Sequence, residues 1–146
     1  MRGGSGGTLT GAAYVLIVDD DPAMADMYRF GLEGQGFRVE VLSSARTLNQ
    51  AIEAEPPDAV ILDWDLPGIR GDEALERLRE TSHGRHLPVL FLSNFPGNRD
   101  GRIDRVFHSG ALAWLEKINT TPTQLAQKVS EALGLPPSPG GGGRRV

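Results

Sequence analysis

Four short apolar runs in this chain each give way to a residue that can handle charge. Tyr14-Val15-Leu16-Ile17-Val18 ends at Asp19 and Asp20, Ala59-Val60-Ile61-Leu62 at Asp63, and Val89-Leu90-Phe91-Leu92 at Ser93, while Ala113-Trp114-Leu115 is followed, one residue on, by Lys117. The runs lack polar alternation, which suits strands buried on both faces of a parallel sheet. Amphipathic segments of helix length separate them. The pattern predicts strands near 14–18, 37–41, 59–62, 88–92 and 112–115, and helices near 22–34, 44–54, 71–80, 99–109 and 122–133. Such an alternation implies an α/β fold whose helices cover both faces of the sheet.

Local signals agree with those boundaries. Asp21 is placed to cap the first helix with Pro22 in its first turn, and Thr121 with Pro122 does the same for the last. Met24, Met27, Tyr28 and Leu32 recur at helical spacing, as do Leu75 and Leu78, Ile103, Val106 and Phe107, and Leu125, Val129 and Leu133; all are read as core stripes. The 146-residue length fits one domain, placed at 13–134. Residues 1–12 and 135–146 are rich in Gly, Pro and Ser and are expected to be disordered tails, with Arg144 and Arg145 simply solvated.

Composition narrows the functional classes. A net charge of −4 with scattered basic residues offers no patch for nucleic acid or an anionic membrane, so protein partners are expected. Cysteine is absent, which removes disulfides, thiolate catalysis and cysteine-ligated metals. No apolar stretch approaches the ~20 residues of a membrane span. A soluble, cytoplasmic protein is expected.

Ligands of an open parallel sheet bind beyond the carboxyl ends of its strands, and Asp19, Asp20, Asp63, Ser93 and Lys117 all fall at such ends. Clustered carboxylates raise one another's pKa unless a cation compensates. Lys117 and a divalent metal would do so; the all-oxygen donors favour Mg2+, with Mn2+ able to substitute. An aspartate beside such a metal is a competent nucleophile toward phosphorus, giving an acyl phosphate. Ser93 and Lys117 would each contact a phosphoryl oxygen.

The motifs VLIVDDDP, VILDWDLPGIRG, PVLFLS and WLEK, in that order and at these spacings, resemble the receiver domain of two-component response regulators over residues 14–134. The resemblance, to a stand-alone receiver, implies a flavodoxin-like (βα)5 fold, doubly wound, with strand order 2-1-3-4-5. It implies that Asp63 is the phosphoacceptor, served by a sensor histidine kinase or a histidine phosphotransfer protein. Asp20 would ligate Mg2+ with Asp19 assisting, and the Asp65 backbone carbonyl would complete the protein ligands. Ser93 takes the switch-hydroxyl position, Lys117 the phosphate-binding lysine position, and Trp114 that of an aromatic whose rotamer accompanies activation.

Phe95 and Asp65 take positions that tune phosphoryl lifetime in the family, Phe95 being expected to shield the acyl phosphate. Pro67, Gly68 and Gly71 fit the loop after the acceptor strand, and Pro96-Gly97-Asn98 is expected to be a mobile switch loop. Two departures stand out: Ile118 follows Lys117 where proline is usual, and Asn94 stands where a very small residue is usual.

Two other readings compete. A haloacid dehalogenase-type phosphatase also starts from Asp-x-Asp, as in Asp63-Trp64-Asp65, but it needs Thr or Val where Pro67 stands and places its acidic pair after the lysine. A pseudo-receiver scaffold, never phosphorylated, would usually have lost one of the site residues. His83, His86 and His108 are expected to be surface or capping residues rather than phosphocarriers. The receiver would act chemically only on itself, without turnover of an independent substrate, and signal through a downstream target protein; a homodimer is possible in principle.

Overall fold

The apolar runs become the inside of a sheet. The computed structural model describes residues 12–94 and 102–136. In chain order they form β1 (Tyr14–Val18), α1 (Pro22–Gly34), β2 (Arg38–Leu42), a 3-10 turn (Ala45–Thr47) running into α2 (Leu48–Ala54), β3 (Ala59–Asp63), α3 (Gly71–Arg79), β4 (Val89–Ser93), α4 (Arg102–His108), β5 (Ala113–Glu116), a second 3-10 turn (Lys117–Asn119) and α5 (Pro122–Leu133). The five strands are parallel in the order β2-β1-β3-β4-β5, the doubly wound flavodoxin-like arrangement. β1, β3 and β4 are buried at every position, whereas the edge strands β2 and β5 are partly exposed.

Alternate strand residues feed two separate cores. Leu16, Val18, Val60, Leu62, Val89 and Phe91 pack with Leu48 and Ile52 of α2, Leu75 and Leu78 of α3 and Val106 of α4. On the other face, Val15, Ile17, Ile61, Leu90 and Leu92 meet Tyr28 and Leu32 of α1 and Leu125 and Val129 of α5. The chain leaves β1 outward to β2 and returns past it to β3, so the crevice between the carboxyl ends of β1 and β3 is the topological switch point.

The helix caps form as expected: Asp21 Oδ1 accepts the Ala23 and Met24 amides, and Thr121 and Gln124 make a reciprocal capping box. Some expectations need correction. β2 starts one residue later than predicted, because the Phe37 amide turns back to the Leu32 carbonyl at the end of α1, and Arg38 is the first to join β1's ladder, donating to Ala13. The segment predicted as one helix over 44–54 opens as a 3-10 turn, since Ser44 Oγ accepts the Arg46 amide and tightens the start. Met27 and Phe107, taken as core, are 40% and 43% exposed, each lying beside the buried stripe of its helix, and Leu133 is only partly buried. The side chain of Ile103 lies outside what is described.

Candidate functional site

Residues at or just past the ends of β1, β3 and β5 meet in one pocket. Asp19, following β1, is buried and accepts the Asp21 amide on Oδ1 at 2.9 Å. Asp63, closing β3, is equally buried and accepts the Asp65 amide on Oδ1 at 2.9 Å. Both carboxylates are thus oriented by the amide two residues on, a local turn that Asp forms readily. Lys117, just past β5, places Nζ 3.1 Å from Asp63 Oδ2 and 3.3 Å from Asp19 Oδ2. Ser93 closes β4 and is fully buried. Asp20 is exposed at the mouth.

Carboxylate oxygens of Asp19, Asp20 and Asp63 can all lie within 4.8 Å of one another. One ammonium against three carboxylates leaves the pocket with negative charge in excess. Burial is the main cause that lifts the Asp19 pKa, and the Asp63 charge adds to it; the Asp21 amide and Lys117 oppose the rise. For Lys117, burial alone would depress the pKa, but its attraction and hydrogen bond to Asp63, and then its attraction to Asp19, outweigh that and hold it raised. Lys117 therefore stays an ammonium.

The donor set fits a hard divalent cation on two grounds. It consists of oxygens alone, and among the described residues Asp19 Oδ2 is buried without a hydrogen bond, its contact with Lys117 being an ion pair only. The Lys117 ammonium 3.3 Å away offsets part of the cost of burying this oxygen, and its unused lone pairs suit a cation.

Around this pocket the structure adds detail that the strand-end pattern does not carry. Asp65, expected to act through its backbone carbonyl, also uses its side chain: Oδ2 accepts the Asn94 amide at 3.0 Å and joins the loops after β3 and β4. Gly68 has φ of 84°, as expected of its turn, whereas Gly71 is needed for closeness instead, because a Cβ there would sit 2.6 Å from the Trp64 ring. Trp114 is half-buried in an aromatic cluster, edge-on to Trp64 at 4.5 Å between centroids and tilted against Phe91 at 6.2 Å. Its Nε1 is buried without a partner among the described residues. The peptide between Lys117 and Ile118 is trans. Phe95 and the Pro96-Gly97-Asn98 segment lie outside the described residues. The three histidines do not enter the pocket: His83, His86 and His108 are exposed, His108 facing the Asp104 carbonyl of its own helix.

Comparison with known proteins bears on this geometry. The family model described as response regulator receiver domain matches residues 15–130. The chain is 31% identical over 113 residues to the phosphate regulon transcriptional regulatory protein PhoB of Rhizobium meliloti (strain 1021), an alignment covering 77% of this chain and 49% of that protein. It is 32% identical over 124 residues to an uncharacterized 14.6 kDa protein in the sodA1 3' region of Leptolyngbya boryana, covering 84% of this chain and 92% of that one. A putative response regulator from Chloroflexus aurantiacus J-10-fl superposes with a TM-score of 0.74 at 32% identity, over 84% of this chain and 98% of its own. The chain thus spans about half the length of the first of these relatives and nearly all of the other two.

Proposed function

The chain belongs to the response regulator receiver domain family of two-component systems, and from that premise we propose that it takes a phosphoryl group onto Asp63 from the phosphohistidine of a sensor histidine kinase or a histidine phosphotransfer protein. The observation that carries this reading is the buried Asp63 carboxylate held 3.1 Å from the Lys117 ammonium beside Asp19 and Asp20. An Asp63 oxygen forms a bond to phosphorus while the donor's P–N bond breaks, the imidazole nitrogen keeping the bonding pair. Lys117 already faces the attacking carboxylate and would pair with a phosphoryl oxygen once it arrives. Ser93, on the adjacent strand, would donate its hydroxyl to another.

The residues that would hold Mg2+, or Mn2+ in its place, are Asp19, Asp20, Asp63 and the Asp65 carbonyl. The cation, when bound, neutralises the phosphoryl oxygens so that one anion can approach another. The chain's own part is positioning: the amides of Asp21 and Asp65 fix the two buried carboxylates before any ligand arrives. The output would be a changed face near α4, β5 and α5, to which Trp114 belongs, read by a downstream target protein.

The test is incubation of the full chain with phosphoramidate and Mg2+, followed by intact-mass measurement. Wild type should gain one phosphoryl group, and Asp63→Asn or wild type in EDTA should gain none. Phosphate on Asp63→Asn would remove the acceptor assignment.

A further inference from the structure

Lys117 has a buried tip between two carboxylates, its side chain only 6% exposed, yet its own peptide opens a short 3-10 turn rather than lying within a strand. The next residue gives that turn no anchorage, because Ile118 is 88% exposed. Two bonds within the turn are local: the Thr120 amide donates to the Lys117 carbonyl at 3.3 Å, and Thr120 Oγ1 to the Glu116 carbonyl at 2.8 Å. Apart from the Lys117 ion pairs, its hydrogen bonds to another element, among the described residues, come from Tyr28. This wholly buried residue of α1 directs its hydroxyl at the Thr120 carbonyl, 3.1 Å away, with the Lys117 carbonyl at 3.5 Å. A phenol has a single proton, so the shorter contact receives it.

The helix that carries Tyr28 also sets the acids. α1 starts at the Asp21 cap, whose amide orients Asp19. One turn beyond Tyr28, Gly31 lets α1 lie hard against the start of α5; a Cβ there would fall 2.2 Å from that of Pro122. One rigid helix therefore spans the distance between the acidic pair and the peptide from which the lysine extends.

We propose that Tyr28 is a positioning residue for Lys117: its buried phenol clamps the Lys117–Thr120 turn to α1 and so fixes where the ammonium meets Asp63. The chemical consequence rests on the phosphoacceptor reading of Asp63, while the geometric claim can be measured apart from it.

Tyr28→Phe keeps the ring that fills the core and deletes only the hydroxyl. With phosphoramidate and Mg2+, the full-length variant should acquire phosphate about tenfold more slowly, less than the ~100-fold that a full 1 Å misplacement can cost. In a Lys117→Ala background the same substitution should add less than about twofold, since the group it positions is gone. Equal slowing in both backgrounds would overturn the proposal.

A second readout needs no phosphorylation. The chain has only one other lysine, Lys128, so the Nζ resonance of Lys117 is identifiable by 15N NMR from its loss in Lys117→Ala. Asp63→Asn should displace that resonance by breaking the ion pair, and Tyr28→Phe should shrink the displacement. An undiminished displacement overturns the positioning role whether or not Asp63 takes phosphate. A diminished one in a protein that takes no phosphate would leave that role standing and defeat the phosphoacceptor reading instead.

Discussion

Asp19 concentrates the electrostatic tension of the pocket. Its pKa lies above the ordinary 3.8, mainly through burial. An acid raised in this way binds its proton more tightly folded than unfolded, so its ionised form disfavours the fold at neutral pH, and the penalty fades as pH falls through the raised value. Asp19→Asn should therefore be more stable than wild type in EDTA at pH 7, by a margin that shrinks on acidification; urea denaturation over a pH series checks this. Lys117 has the opposite sign, since its raised pKa contributes stability that is fully present below the ordinary 10.5 and is lost only as pH climbs through the raised value. A quieter residue joins the two loops: Asp65→Ala should speed hydrogen exchange of the Asn94 amide, which loses its acceptor. The strand-end positions of Asp19, Asp63, Ser93 and Lys117 were legible in the sequence because each lies at or just past an apolar run. The Asp65 side chain and the Tyr28 hydroxyl were not, because periodicity shows that Tyr28 faces a core and says nothing of what its phenol reaches.

Among the elements, α3 ends in a residue whose role lies wholly in what it joins. Arg79 donates to the carbonyls of Gly84 and Leu87 in the loop before β4 and to those of Ser109 and Gly110 after α4, all between 2.7 and 3.2 Å. Burial lowers its pKa, but a guanidinium keeps its charge and its forked donors. Arg79→Ala should cost about 3 kcal/mol in urea denaturation, since hydrogen bonds from a charged donor contribute roughly 1.5–3 kcal/mol each and their losses overlap. Arg79→Lys should recover only part of that, lacking the fork. At the other end of the scale, Thr121→Ala should cost about 1 kcal/mol by removing the α5 cap. The element order was readable from apolar runs and cap residues, and most boundaries to within one residue. Met27 and Phe107 misled because a stripe read at helical spacing extends as far as apolar residues do, whereas the buried face stops where the neighbouring element stops.

In the molecule as a whole, two cores lie on opposite faces of one sheet, at whose edge the pocket opens. If the acidic cluster holds a divalent cation, Mg2+ at 100-fold above its dissociation constant should raise unfolding stability by about 2.7 kcal/mol, and the rise should be smaller in Asp20→Ala, whose exposed side chain carries no packing. Thermal unfolding against Mg2+ concentration measures both. At this scale, parallel pairing was legible from the doubly buried runs, while the strand order came from the resemblance of four motifs, since alternation alone does not say on which side of β1 each later strand docks. The aromatic cluster behind Asp63 has a spectroscopic consequence. The chain's two tryptophans are Trp64 and Trp114, and they stand edge to face at 4.5 Å, the first adjoining Asp63 and the second on the outer strand. Two indoles so close and so inclined couple their electronic transitions, so the protein's near-ultraviolet circular dichroism should be dominated by this one pair, and any rotation of Trp114 should be visible as a change in the sign or size of that band without a label of any kind.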